Sequence, residues 1–231
     1  MDREHEAAVI FDMDGVLIDS YLPHFRSWQT LGRETGRVMT EAQFAATFGR
    51  TSREVIRQLW PEQQFTDEQV AELDARKEEA FRKIIDDEFP VMAGAPELIA
   101  SLVAGGFRLG IGSSAPPANV EMVIDRLGVR HLIGAVVTGA DVERGKPDPQ
   151  VFLLAAARLG LRPACCIVVE DAPDGVKAGH AAGMAVVALV STGRSRELLS
   201  KAEYVVDTLQ ELTPQRFRDL IDHHGQRAAS E

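Results

Sequence analysis

From residue 97 onward the sequence alternates short, largely apolar runs with helical stretches closed by glycine. That rhythm restricts the fold more than any other feature of the chain. Helical patterns over Glu97–Ala104, Asn119–Leu127, Pro149–Leu159 and Gly175–Ala182 end at Gly105-Gly106, Gly128, Gly160 and Gly183. Between and after them, Phe107–Ile111, Ala135–Thr138, Cys165–Val169 and Ala185–Val190 read as strands, with a helical turn expected at Arg196–Ser200 and a last short strand at Tyr204–Val206. An earlier run, Ala7–Phe11, has the same character. Strands without a polar face, alternating with helices, predict a parallel sheet covered on both sides.

One block breaks the rhythm. Residues 21 to 89 carry no strand pattern, and helices are predicted over His24–Thr35, Glu41–Phe48, Ser52–Leu59 and Asp67–Ile85. Thr66 followed by Gln69 gives a capping-box signal for the last of these. Pro90 and Gly94-Ala95-Pro96 then interrupt the chain. The expected organisation is an α/β core from residues 1–18 and 92–231, with an all-helical domain over 19–91 inserted after the first strand. The end of the chain, from about His223, reads as polar and frayed, with His223 and His224 exposed rather than metal-bound.

Ligands of open α/β sheets bind at the carboxyl ends of the strands. Read there, the sequence gives four clusters. The first strand runs into Asp12-Met13-Asp14-Gly15, whose two carboxylates at i and i+2 share one face while the backbone stays extended. The second ends in Gly112-Ser113-Ser114, the third leads to Gly145-Lys146-Pro147, and the fourth ends in Glu170-Asp171 with Asp174 beyond. Each has a plainer alternative. These are an acidic turn, a loop plus helix cap at Ser113-Ser114, a solvated lysine, and acids favoured by a helix macrodipole. A calcium loop is excluded at Asp12, because glycine comes fourth and Val16 stands where a ligand is needed. Gly110 to Ala115 fits G-x-G-x-x-A, but Pro116-Pro117 is expected to delay the helix that would receive a pyrophosphate. Gly139 to Lys146 is no P-loop, since Pro147 replaces the Ser/Thr.

Taken together the four clusters suit phosphoryl transfer. Asp12 can act as nucleophile toward phosphorus, provided magnesium offsets the repulsion between carboxylate and phosphate. Glu170 and Asp171 add acid groups around such an ion, and Lys146 adds a fixed positive charge. Ser113, with Ser114 beside it, offers donors to phosphate oxygens. Asp14 would protonate the leaving oxygen and then activate water.

The formal net charge of −10 argues against nucleic acid as partner. No apolar run reaches the ~20 residues needed to span a bilayer, and the acidic start is unlike a secretory signal. The two cysteines, Cys165 and Cys166, are adjacent in an apolar run and read as packing residues, which fits a cytoplasmic protein. Oligomeric state is left open, a monomer being compatible.

Phe11-Asp12-Met13-Asp14-Gly15-Val16, Gly112-Ser113-Ser114, Gly145-Lys146-Pro147-Asp148-Pro149 and Val169-Glu170-Asp171-Ala172-Pro173-Asp174-Gly175 resemble the four motifs of the haloacid dehalogenase superfamily. The nearest branch is β-phosphoglucomutase-like, with a helical cap after the first strand. The resemblance implies a Rossmann-like core, Asp12 as nucleophile, Asp14 as general acid/base, and Ser113 and Lys146 as phosphate binders. It implies Mg²⁺ held by the Asp12 carboxylate, the Asp14 carbonyl and Asp171, with Glu170 assisting. Dehalogenases of the superfamily lack an aspartate at the Asp14 position, so phosphatase or phosphomutase remains. In the cap segment, His24 matches a histidine that couples cap closure to proton transfer in β-phosphoglucomutases, and Arg76-Lys77 resembles a mutase segment. The loop Gly49-Arg50-Thr51-Ser52-Arg53 is one residue longer than its mutase counterpart, and Arg53 is carried over as a substrate contact. The expected activity is a Mg²⁺-dependent phosphatase acting on a small phosphorylated metabolite such as a sugar phosphate. The alternatives are a β-phosphoglucomutase-type mutase, a non-catalytic metal/phosphate-binding module and, remotely, a nucleotide-binding oxidoreductase.

Overall fold

The apolar runs form a single six-stranded sheet. Its strands are β1 (Ala8–Phe11), β2 (Arg108–Gly112), β3 (Ile133–Val137), β4 (Cys166–Glu170), β5 (Ala185–Leu189) and β6 (Tyr204–Val206). They are ordered β3-β2-β1-β4-β5-β6, and all neighbours are parallel. The structure, a computed structural model, describes residues 6–48, 50–60 and 64–228. The chain divides into two compact units, Met1–Asp19 with Val91–Glu231, and Ser20–Pro90.

In the first unit, burial on both faces explains why the strands have no polar side. Ala8 and Ile10 of β1 share an apolar cluster with Val168, Val186 and Phe152. Val9 and Phe11, which point the other way, are equally buried. The faces are covered by helices α5 (Ala95–Ala104), α6 (Pro117–Leu127), α7 (Gln150–Leu159), α8 (Pro173–Ala181) and α9 (Pro214–Ala228), the α1 to α4 labels being kept for the helical unit described below. The order of strands reverses at β1, so the chain leaving Phe11 emerges at the switch point where open sheets bind ligands.

Three expectations need correction. Pro116-Pro117 does not delay the following helix. Pro116 is its N-cap and Pro117 its first residue, where a missing N–H costs nothing. The glycines of the G-x-G stretch instead let α7 approach the sheet. A Cβ on Gly110 would stand 3.2 Å from Leu159 Cδ1, and one on Gly112 3.0 Å from Phe152 Cδ1. The C-terminal segment is not a frayed tail, because α9 continues to Ala228. Its signals were present: Thr213 accepts from the Arg216 N–H at 3.3 Å, Pro214 opens the helix, and Phe217, Leu220 and Ile221 lie on one face. His223 is exposed as expected, whereas His224 is half-buried with Nε2 3.1 Å from the Gly183 carbonyl oxygen.

The second unit holds α1 (Tyr21–Thr35), α2 (Glu41–Thr47), α3 (Ser52–Leu59) and α4 (Asp67–Asp87). Thr40, Thr51 and Thr66 each start a helix with a complete capping box. The helices close over a core of their own, built from Trp28, Leu31, Phe44, Ile56, Val70 and Leu73 among others. Among the described residues no helix is long and apolar enough to cross a membrane.

Phe217 of α9 is fully buried and meets the Phe107 ring edge-on at 6.1 Å. Phe217→Ala should therefore destabilise the protein by about 3–5 kcal/mol. Urea denaturation followed by circular dichroism measures this, and a change below ~0.5 kcal/mol would mean that α9 is not part of the core.

Candidate active site

The register of the sheet assembles the site. β1 and β4 pair with Phe11 opposite Val169, and the Asp12 N–H donates to the Val169 carbonyl at 2.9 Å. Asp12 and Glu170 thus leave adjacent strands at the same level. Lys146, from the long connection between β3 and α7, joins them. Its Nζ lies 2.6 Å from Asp12 Oδ1 and 2.7 Å from Glu170 Oε1. It also sits 4.7 Å above the Phe152 ring. Its side chain is only 10% exposed, which rules out the solvated-lysine alternative.

The connection carrying Lys146 is tied at both ends. Asp141 accepts from the Thr138 N–H at 2.8 Å and the Thr138 hydroxyl at 2.7 Å, and it pairs with Arg158 of α7 at 2.6 Å. Gln150 Oε1 accepts from the N–H groups of Glu143 and Arg144, both at 3.0 Å.

Glu170 has both oxygens committed. Oε1 faces Lys146, while Oε2 accepts from the N–H groups of Asp171 and Ala172, each at 2.6 Å. It closes the start of α8, so the helix-start alternative and a role in the acidic cluster are both realised. Gly175 makes this possible, since a Cβ there would overlap the Glu170 carboxylate. Asp171 turns to the connection after β5, where Ser191 Oγ donates to its Oδ2 at 2.6 Å and Arg194 Nε stands 3.7 Å from the same atom. Gly15, at φ +77°, passes against this carboxylate, and a Cβ there would overlap it.

Asp12, Glu170 and Asp171 therefore form one buried group of carboxylates whose ligand atoms lie within 4.8 Å of one another. Burial pushes the Asp12 carboxyl well above its ordinary range. Lys146 pulls it back, and the charges of Glu170, Asp171 and Asp14 push it further up. Asp171 is pushed up to about 7, first by burial and then by Glu170, against the opposing pull of Arg194, Ser191 and Lys146. Burial lowers Lys146, but its two carboxylate partners outweigh that and raise it above its usual value. Such a group carries more negative charge than its neighbours neutralise. Among the described residues, Asp12 Oδ2 and Asp171 Oδ1 accept no hydrogen bond. An all-oxygen donor set of this kind fits a hard divalent cation.

The remaining residues singled out in the sequence are distributed as follows. Asp14 is half-buried, and its carboxylate is not one of the three in the cluster. Ser113 is buried at the end of β2, next to β1, and its hydroxyl accepts from the Ala115 N–H at 3.1 Å. Neither Ser113 nor Ser114 caps α6, whose N-cap is Pro116. Ser114 is half-buried beside it. Ser191 and Arg194 match no motif in the sequence, although the strand-end rule applied to β5 points to their loop.

His24, Arg53 and Lys77 belong to the helical unit and are engaged within it. Lys77 is 3% exposed, with Nζ 2.8 Å from His24 Nδ1 and 2.9 Å from Glu78 Oε1. Ser52 donates to the same Glu78 oxygen at 2.6 Å, and the His24 ring stacks on Phe81 at 3.9 Å. Arg53 is exposed and pairs with Asp74 at 2.9 Å, and Arg76 pairs with Glu34 at 2.8 Å. Gly49, cited for the loop length, lies outside the described residues.

The model of the haloacid dehalogenase-like hydrolases matches residues 6–183, more than half of the chain. The chain belongs to this family. The hydrolase is 30% identical over 212 residues to a β-phosphoglucomutase of Bacillus subtilis (strain 168), covering 89% of this chain and 91% of the relative. It is 34% identical over 188 residues to a fructose-1-phosphate phosphatase of Escherichia coli (strain K12), covering 80% of this chain and 96% of the relative. A third relative is the validoxylamine A 7'-phosphate phosphatase of Streptomyces hygroscopicus subsp. limoneus, 32% identical over 204 residues and covering 88% and 94% of the two chains. Among solved structures, a family IA, variant 3 hydrolase from Entamoeba histolytica superposes with a TM-score of 0.85 at 26% identity, covering 94% of this hydrolase and 99% of that chain.

The helical unit yields a pH test. Burial pushes the Glu78 carboxyl up, but Lys77, His24 and the hydrogen bonds from Ser52 and Lys77 together outweigh it and hold the group at about 2. A folded-state value below the ordinary 4.5 means that ionised Glu78 stabilises the fold above pH 4.5, and that this is lost as the pH falls toward 2. In thermal melts the stability gap between the parent and Glu78→Gln should be widest above pH 5 and narrow progressively toward pH 2. A gap that does not change with pH would sink this assignment.

Proposed function

We propose that this hydrolase is a Mg²⁺-dependent phosphatase that removes the phosphoryl group from a small phosphorylated metabolite, a sugar phosphate by preference. The observation that carries the reading is Asp12 at the end of the central strand, held by Lys146 inside a group of three carboxylates. The family and the sugar-phosphate phosphatases among its relatives support it.

Asp12 and Asp171 would hold the cation, together with the Asp14 carbonyl that the family resemblance suggests. Bound there, magnesium supplies positive charge that offsets the repulsion between these carboxylates and an incoming phosphate. Lys146 adds a second, permanent positive charge beside Asp12. Ser113, with neighbouring backbone N–H groups, offers donors to the phosphoryl oxygens. The Asp12 carboxylate attacks phosphorus, an O–P bond forms to Asp12, and the bond to the leaving oxygen breaks. Asp14 delivers its proton to that oxygen. Asp14, now a carboxylate, takes a proton from water as the water attacks the aspartyl-phosphate. Inorganic phosphate leaves and Asp12 is regenerated.

A second reading, transfer to another sugar hydroxyl instead of water, is favoured by the β-phosphoglucomutase relative. The Lys77–His24 contact lies on the residues that resemble a mutase cap. The engagement of Arg53 with Asp74 gives that reading less support, since the arginine is taken up within its own unit.

The two readings separate in one assay. Inorganic phosphate release and glucose 6-phosphate formation are measured with Mg²⁺ or EDTA over a panel of sugar phosphates that includes β-glucose 1-phosphate. The expected outcome is magnesium-dependent release from at least one sugar phosphate, abolished in Asp12→Asn. Conversion of glucose 1-phosphate to glucose 6-phosphate with little free phosphate would replace the phosphatase by a mutase.

A further inference from the structure

The connection after β5 touches the acidic group at one point, Asp171. Ser191 is itself buried, 8% exposed, and donates to Asp171 Oδ2 at 2.6 Å. Arg194 Nε stands 3.7 Å from the same oxygen, beyond hydrogen-bond reach, with side chains only 11% and 4% exposed. The two contacts therefore differ in kind. The serine fixes the rotation of the carboxylate, and the arginine acts on it through charge that water screens little. Thr192, between them, donates to Asp19 Oδ2 at 2.9 Å, which ties the same connection back to the segment following β1. Gly15 also packs against Asp171, where a Cβ would overlap its carboxyl group.

We infer that Ser191 and Arg194 are positioning residues that set the cation affinity of the site through Asp171. Ser191 occupies Oδ2 and so leaves Oδ1 for the cation. Arg194 supplies part of the missing positive charge when no cation is bound, and competes with the cation for the field of the cluster. This rests on the reading of Asp12 and Asp171 as cation ligands. Outer-shell partners of ligating carboxylates commonly carry 10–100-fold in metal affinity. Loss of the two residues has opposite consequences. Without Ser191 the carboxylate rotates freely and the cation is held less well. Without Arg194 the cluster is more negative, so the cation is held better while the metal-free protein is less stable.

The test uses the full chain without substrate, with Mn²⁺ as probe and free Mn²⁺ followed by electron paramagnetic resonance. Ser191→Ala should raise the Mn²⁺ dissociation constant about tenfold, and Ser191→Thr, which keeps the hydroxyl, should restore it. Arg194→Gln should lower the constant several-fold. Its metal-free melting temperature should fall below the parent's, and saturating Mg²⁺ should close that difference. A general loosening of the fold would weaken binding in all three variants, so the sign reversal at Arg194 separates positioning from damage. Unchanged affinity in Ser191→Ala, or weakened affinity in Arg194→Gln, overturns the inference. A parent protein that binds no Mn²⁺, or whose binding survives Asp12→Asn, instead overturns the cation reading on which the inference depends.

Discussion

The site is organised by a buried imbalance of charge. Asp12, Glu170 and Asp171 meet at the carboxyl ends of two central strands, and Lys146 crosses from another connection to bridge the first two. Burying a carboxylate is costly unless it is paired and hydrogen-bonded. Each group here is therefore assigned a partner: lysine and two backbone N–H groups to Glu170, serine and arginine to Asp171, lysine to Asp12. The compensation is incomplete at Asp12, whose carboxyl is still pushed up by burial and by the neighbouring carboxylates.

Much of the surrounding architecture follows from holding those partners in place. Lys146 reaches two carboxylates because its connection is pinned by Asp141 at one end and Gln150 at the other. The pairing of β1 with β4 brings the acids close together, and the backbone makes room for them. Gly15 and Gly175 stand where any side chain would collide with Asp171 and Glu170. At Gly15 and Gly175 the adjacent carboxylate leaves no room for a side chain, and Gly15 also takes the left-handed backbone that glycine permits.

The sheet could be read directly from the sequence, because runs such as Val9-Ile10-Phe11 and Ile167-Val168-Val169 have no polar face to offer a solvent. The four strand-end clusters were legible by the same route, since strand ends are where side chains converge. What the sequence hid depends on tertiary approach. The division of labour between the two oxygens of Glu170 cannot be inferred from spacing. Ser191 and Arg194 look like ordinary loop residues until β5 is set beside β4. Helix α9 is faint in the sequence because Phe217, Leu220 and Ile221 are few among charged neighbours, although Thr213-Pro214 marks its start. Lys77 is buried against the pattern of its charged helix, because Glu78 and His24 meet it there.

The central position of β1 has a consequence in time. Its carboxylate is synthesised 134 residues before the lysine that neutralises it. At ~5–20 residues per second, Asp12 waits on the order of ten seconds for its partner. During that interval the helices of residues 20–90, contiguous in sequence and closed over their own core, have everything they need to fold. The buried acidic group is thus begun with β1 and completed only when the chain has passed β4.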